Sequence, residues 1–238
     1  MIADALGEAL RELLLPTLLA AAFALLALPL LAESAVVVRD RALLDGVLAV
    51  SWLLAAASGL RLGARLPGDG LGPLLRPVVG DTRFLVARVA GFAGILALQT
   101  TTTLALCLLH APVRAAGLGL LAHGLACVGE AFVATLLTAL FCVAVRPWLA
   151  AGCAGSLLIV GHLEQDLTAA LAGSSLEPVA RGLTLLVPSF ERLDVQGELL
   201  TGAPIAPASL ALGGAELVGW SLALGLALRA AWAKADRL

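Results

Sequence analysis

Charge is scarce in this chain. Only 13% of its 238 residues are Asp, Glu, Lys or Arg, about half of what an ordinary soluble domain carries. With a formal net charge of -2 and no Lys/Arg-rich run, a strongly basic nucleic-acid binder is excluded. The ten-residue apolar/polar alternation of an outer-membrane barrel is also missing, so the backbone must satisfy its polar groups inside helices. No Gly-x-x-x-x-Gly-Lys-Ser/Thr run offers a phosphate cradle. Neither Gly-x-Ser-x-Gly nor His-Glu-x-x-His supplies a nucleophile or a zinc pair. The four cysteines, Cys107, Cys127, Cys142 and Cys153, lie in apolar stretches where a thiol behaves as a small hydrophobe, so neither a disulfide nor a metal site is expected. The first apolar run lacks a basic leader and reads as a retained span, not a cleaved signal.

What the chain does have is hydrocarbon: 61% hydrophobic residues and a mean hydropathy of +1.01. Six apolar stretches, at about 14–32, 43–60, 89–109, 118–145, 148–163 and 208–230, are each long enough to approach or cross a hydrocarbon layer of about 30 Å. The expected fold class is all-α, a polytopic membrane protein of six transmembrane helices forming one domain over residues 1–238. Residues 1–12 read as an amphipathic surface helix, and the fourth stretch, longer than a crossing needs, is expected to be tilted or broken. The fifth reads on into Glu164 and Asp166. Residues 177–186 predict a short surface helix, with Val179, Leu183 and Leu186 buried on one side, Glu177 and Arg181 in water on the other, and Pro188 closing the segment. Ten Lys and Arg fall on one side of this arrangement and five on the other, which puts both termini in the cytoplasm of a multi-pass inner (plasma) membrane protein.

Three stretches resemble the membrane subunit of ABC transporters of the ABC-2 type. The first is LGPLLRPVVGDTRFLVARVAG at 71–91, a Leu-Leu pair, a Pro and a polar turn before an apolar helix entered behind Arg88. The second is PWLAAGCAGSLLIVGHLEQDL at 147–167, with Gly161, His162 and Asp166. The third is LLVPSFERLDV at 185–195. The second and third are similar to the branch labelled permeases of multicopper-enzyme maturation. The inner loop departs from the family pattern, with RLPGDGLGP before the Leu-Leu pair and Val78 to Asp81 after Pro77. The resemblance implies a permease that is no enzyme itself and binds no cofactor in this chain, ATP and magnesium being held by a partner ABC ATPase. It also implies a dimer with a second permease copy or a related permease, within the lipid bilayer and without nucleic acid. Leu74, Leu75, Arg76 and Pro77 would form the loop that couples to the ATPase.

Several polar residues inside the apolar stretches are candidates for a substrate path. Glu130 and Glu216 are costly in hydrocarbon and mark either such a path or a hydrogen-bonded packing position. Gln99 and the run Thr100 to Thr103 form a polar island better explained by helix packing. His123 and His162 lack the close pairing on one helix face that a metal site wants. The family position of His162 suggests an outer cap, with Asp166, one turn on, as an available partner. A haem-exporter type of ABC permease, an intramembrane enzyme using Glu130, Glu216 and the histidines, and a non-transporting scaffold are the competing readings.

Overall fold

The computed structural model describes residues 36–64, most positions between 86 and 101, and residues 118–184, 187–201 and 203–235. Everything regular among them is helical. Four long helices, α1 (Val36–Ala64), α2 (Leu118–Ala144), α3 (Pro147–His162) and a last one at Pro207–Ala235, are accompanied by shorter elements between the last two. These are α4 (Glu164–Leu171), α5 (Glu177–Thr184), a 3-10 turn at Glu191–Leu193 and α6 (Gln196–Thr201), which makes the last helix α7. The described positions between 86 and 101 are helical as well. The expected span at 14–32, the part of the expected span at 89–109 beyond residue 101, the surface helix at 1–12 and the coupling loop with Leu74, Leu75, Arg76 and Pro77 lie outside the described residues, as does Gln99.

Two helices, over Gly119–Ala144 and Pro207–Ala231, are long and apolar enough to cross a membrane; Leu44–Leu60 and Pro147–His162 are shorter apolar helices. The fourth stretch runs without a break from Leu118 to Ala144. At its end the chain turns through Val145 and Arg146, and Pro147 opens α3 at a position where a missing N–H costs nothing. α2 and α3 therefore form an antiparallel hairpin.

α2 is the centre of the bundle, with α1, α3 and α7 packed around it. Ser51, Ala55, Gly59 and Gly63 recur every fourth residue and give α1 a face of small side chains. That face lets the two backbones approach closely. A Cβ on Gly59 would lie 2.5 Å from Thr138 Cβ and 2.6 Å from the Thr135 carbonyl oxygen, and one on Gly63 would lie 2.4 Å from Cys142 Cβ. The hydroxyls in this interface are satisfied mostly within their own turn: Thr138 Oγ1 donates to the Ala134 carbonyl at 2.8 Å. Thr135 Oγ1 is within reach of both Ala131 O, at 2.8 Å, and Ala55 O, at 3.3 Å, which ties α2 to α1. Thr100 is buried and its hydroxyl meets that of Ser51 at 3.2 Å, while Thr101 bonds back to the Ala97 carbonyl.

The fifth apolar stretch does not read on into Glu164 and Asp166 as one helix. It stops at His162, Leu163 N–H bonds back to Ile159 and Val160, and α4 starts on a new axis at Glu164. A turn through Gly173, at φ +74° in the left-handed region that glycine adopts most readily, leads to α5. That helix packs on α4 and touches α3. Val179 is 57% exposed, so of the two burials expected for it, against the membrane interface or against the tops of the spans, the second is not made. The side chains of Leu183 and Leu186 lie outside those described.

Candidate functional site at the His162–Glu130 pair

The feature that organises the polar residues is the hairpin of α2 and α3. Glu130 and His162 are each sixteen residues from Arg146, so two antiparallel helices rising from that turn bring them to the same height, about 24 Å from it. His162 Nε2 lies 2.9 Å from Glu130 Oε2. Trp52, from α1, donates its indole N–H to the same oxygen at 3.3 Å. An indole can only donate, so Oε2 is an acceptor in this cluster. The Glu130 side chain is 3% exposed and that of His162 is 19%.

The His162 ring is held on two sides. Trp52 sits 5.0 Å away by ring centroids at 54°, and Phe190 stacks at 5.2 Å and 25°. Phe190 is fully buried, and its N–H donates to the Gly161 carbonyl at 3.3 Å. Gly161 must be glycine for this docking, since a Cβ there would come 2.5 Å from the Pro188 carbonyl oxygen and 2.9 Å from the Phe190 ring. His162 and Pro188 are thus brought together with Glu130. Asp166 is not: it is exposed on α4, beyond the break at Leu163. The expected His162–Asp166 pairing is corrected to His162–Glu130, because the helix that would have set those two one turn apart ends between them.

Glu216 plays a different part. It sits on α7, where Oε1 accepts the Ser189 N–H at 2.8 Å and Oε2 accepts from Arg192 at 3.2 Å. Leu193 fills the space beside Gly213, where an added Cβ would lie 2.8 Å from its side chain, and Ser209 Oγ donates to the Arg192 carbonyl. The 187–195 segment is therefore fastened to α3 by one set of contacts and to α7 by another.

Beside the pair, a cavity of about 130 Å³ is lined by Glu130, His162, His123 and Cys127, with Arg41, Asp45 and Asp194 also in its wall. Cys127 Sγ and His123 Nε2 are 3.6 Å apart. Among the described residues no group of three or more His, Cys, Asp and Glu is placed to hold a metal ion. Cys127, Cys142 and Cys153 carry free thiols, and Cys107 lies outside the described residues. On α5, outside the long helices, the Glu177 carboxyl is held below its ordinary value. The main cause is the Gly173 N–H donated to it at 2.7 Å, and the second is Arg181, 2.6 Å from its other oxygen.

Trp52 and Phe190 are the site residues that sequence reasoning missed. The signal for the pair itself was present, as the equal count from Arg146 to a buried acid and a histidine on consecutive apolar stretches. No family model, no curated protein and no solved structure matches the chain.

Proposed function

We propose that this chain is the membrane-embedded permease subunit of an ABC transporter of the ABC-2 type, a six-span protein that works with a second permease and a separate ATPase chain. The observation that carries the reading is the meeting of two of the three family-like stretches. Gly161 and His162, from the stretch at 147–167, receive Pro188 and Phe190, from the stretch at 185–195. Segments that resemble one family separately also make one structural unit here.

The ends of the bundle support the same reading. Arg41 and Asp45, at the start of α1, share a cavity wall with Asp194 and Gln196, while Gly63, near the other end of α1, meets Cys142. The six-span topology needs that partition, with 33–42 and 161–207 on the outer side and 61–88 and Arg146 on the inner side. Leu74 and Leu75 are then an apolar pair in a cytoplasmic loop, which suits a docking pocket on the ATPase.

The test is affinity purification of the tagged chain from its native membranes, with the co-purified proteins assayed for an ABC ATPase. Co-purification is expected for the wild type and loss of it for Leu74→Asp with Leu75→Asp, the variant still inserting in the membrane. Retention of the ATPase and of substrate-stimulated hydrolysis by that variant would overturn the coupling role. Topology is checked in a cysteine-free background. A Cys placed at Ser189 should be labelled from outside intact cells, and one at Asp69 should not.

A further inference from the structure

The cavity beside Glu130 is not explained by a permease role alone. Its wall contains three carboxylates, Asp45, Glu130 and Asp194, against one guanidinium, that of Arg41. Arg41 already lies 3.8 Å from Asp45 and His162 lies 2.9 Å from Glu130, so Asp194 is the carboxylate of the wall without a cationic partner among the described residues. The volume of about 130 Å³ is roughly ten times what one water needs. It suits a group of a few heavy atoms.

Glu130 supplies a second and independent observation. Its side chain is 3% exposed, and both of its hydrogen bonds, from Trp52 and with His162, fall on Oε2. Among the described residues none donates to Oε1. A buried carboxylate oxygen without a donor is costly, and folded proteins rarely leave one unmatched. Asp194 is exposed at the rim: Oδ1 accepts the Gln196 N–H at 3.0 Å, and the other oxygen, without a protein donor among the described residues, is open to a ligand.

We propose that this cavity binds the primary ammonium group of a small amine, with Glu130 Oε1 accepting one N–H at the floor and Asp194 accepting another at the rim. An ammonium carries three donors and a positive charge on a compact head, which matches two carboxyl oxygens that lack donors, one of them on a carboxylate with no cationic partner among the described residues. Two sources share this chemistry, a free amine and the ethanolamine headgroup of a lipid. The lipid source would use Arg41, 71% exposed at the cavity mouth, as the phosphate contact. Binding needs no ATPase and goes beyond the transport reading.

The test uses the full chain in nanodiscs of phosphatidylcholine and phosphatidylglycerol, titrated with ethanolamine by calorimetry. Saturable binding is expected, weakened about tenfold or more by Glu130→Gln, as loss of a charged hydrogen-bond partner requires, and several-fold by Asp194→Asn. Choline, with no N–H to donate, should not bind in the same range. Adding phosphatidylethanolamine to the nanodisc separates the sources: abolished ethanolamine binding assigns the lipid headgroup, and undiminished binding assigns the free amine. Absence of saturable heat for the wild type, equal affinity for choline, or wild-type affinity in both variants would overturn the proposal. Should Glu130→Gln fail to fold, Asp194→Asn decides by itself, because its Oδ1 can still accept the Gln196 N–H and the residue is exposed.

Discussion

Helices α2 and α7 meet the same requirement of length and apolar content, yet they live in different surroundings. In the most apolar window of α2, 61% of the residues are buried by protein, whereas in α7 the share is 11%. The difference lies in what is interspersed among the leucines. α2 carries Ala131, Ala134, Thr135, Thr138 and Ala139, all buried, which allow three helices to approach it at once. α7 gives the bundle a narrow seam, Gly213, Leu224 and Leu228, and turns Leu212, Val218, Leu222 and Leu226 outward, each at least 60% exposed. Apolar content therefore makes a helix compatible with lipid, and small or hydroxylated residues decide how many protein neighbours it has.

The two glutamates divide in the same way, and replacing them is the strongest way to break the comparison. Glu130→Ala should cost about 3 kcal/mol or more, since it strands the Trp52 N–H and His162 beside a buried hole. Glu216→Ala should cost about 1 kcal/mol, because it removes one backbone contact and a half-exposed ion pair. Thermal unfolding of both variants in detergent measures this, and equal shifts would show that the two carboxylates are not distinguished by their surroundings.

Glycine positions sharpen the contrast next. Gly59→Val should destabilise by roughly 3 kcal/mol, since the branched side chain meets the Thr135 carbonyl and Thr138 with no flexible group to move aside. Gly225 on α7 has no atom within 4 Å of an added Cβ, and Gly225→Ala should stabilise by about 0.5 kcal/mol through helix propensity. A midpoint for Gly59→Val within error of the wild type would contradict the close contact of α1 and α2. Leucine truncation follows in size: Leu136→Ala, at a fully buried site, should cost about 2 kcal/mol, and Leu222→Ala on the outward face about 0.5 kcal/mol or less.

The smallest effect concerns α5. Because the Glu177 carboxyl is held below its ordinary value, it binds protons less readily folded than unfolded, and what it contributes is present above the ordinary value of 4.5 and lost as pH falls below it. Hydrogen exchange at Gly173 should therefore quicken on acidification through that range, after correction for the intrinsic rate. The Glu177→Gln variant should lose most of that dependence.

Helix positions were legible in the sequence because hydrophobic runs and the flanking Arg146–Pro147 and Pro207 are local signals. Expected bounds of 43–60, 118–145, 148–163, 208–230 and 177–186 compare with Val36–Ala64, Leu118–Ala144, Pro147–His162, Pro207–Ala235 and Glu177–Thr184. What could not be read locally was partnership. His162 has Asp166 four residues away and Glu130 thirty-two away, and only the break at Leu163 decides between them. α6 also escaped notice: six residues are too few to display a helical period, and it forms because Leu199 is buried with Leu44, Leu120 and Val195 under a turn fixed by Asp194. Glu130 and Glu216 look alike in sequence, since each is one acid in an apolar run. Only the tertiary structure supplies the histidine for one and the peptide N–H of Ser189 for the other.

The double fastening of the 187–195 segment has a consequence for biogenesis. Its anchors on α3, at Gly161 and His162, leave the ribosome before it does, whereas its anchors on α7, at Gly213 and Glu216, leave after it. The hairpin of α2 and α3 can thus close its Glu130–His162 bond early, as N-terminal parts of a chain ordinarily do. The Ser189 N–H and the Arg192 guanidinium must wait for the last helix to be made. A nascent chain arrested before residue 207 would carry the first half of this joint and lack the second, which makes the docking of α7 the step that completes this end of the protein.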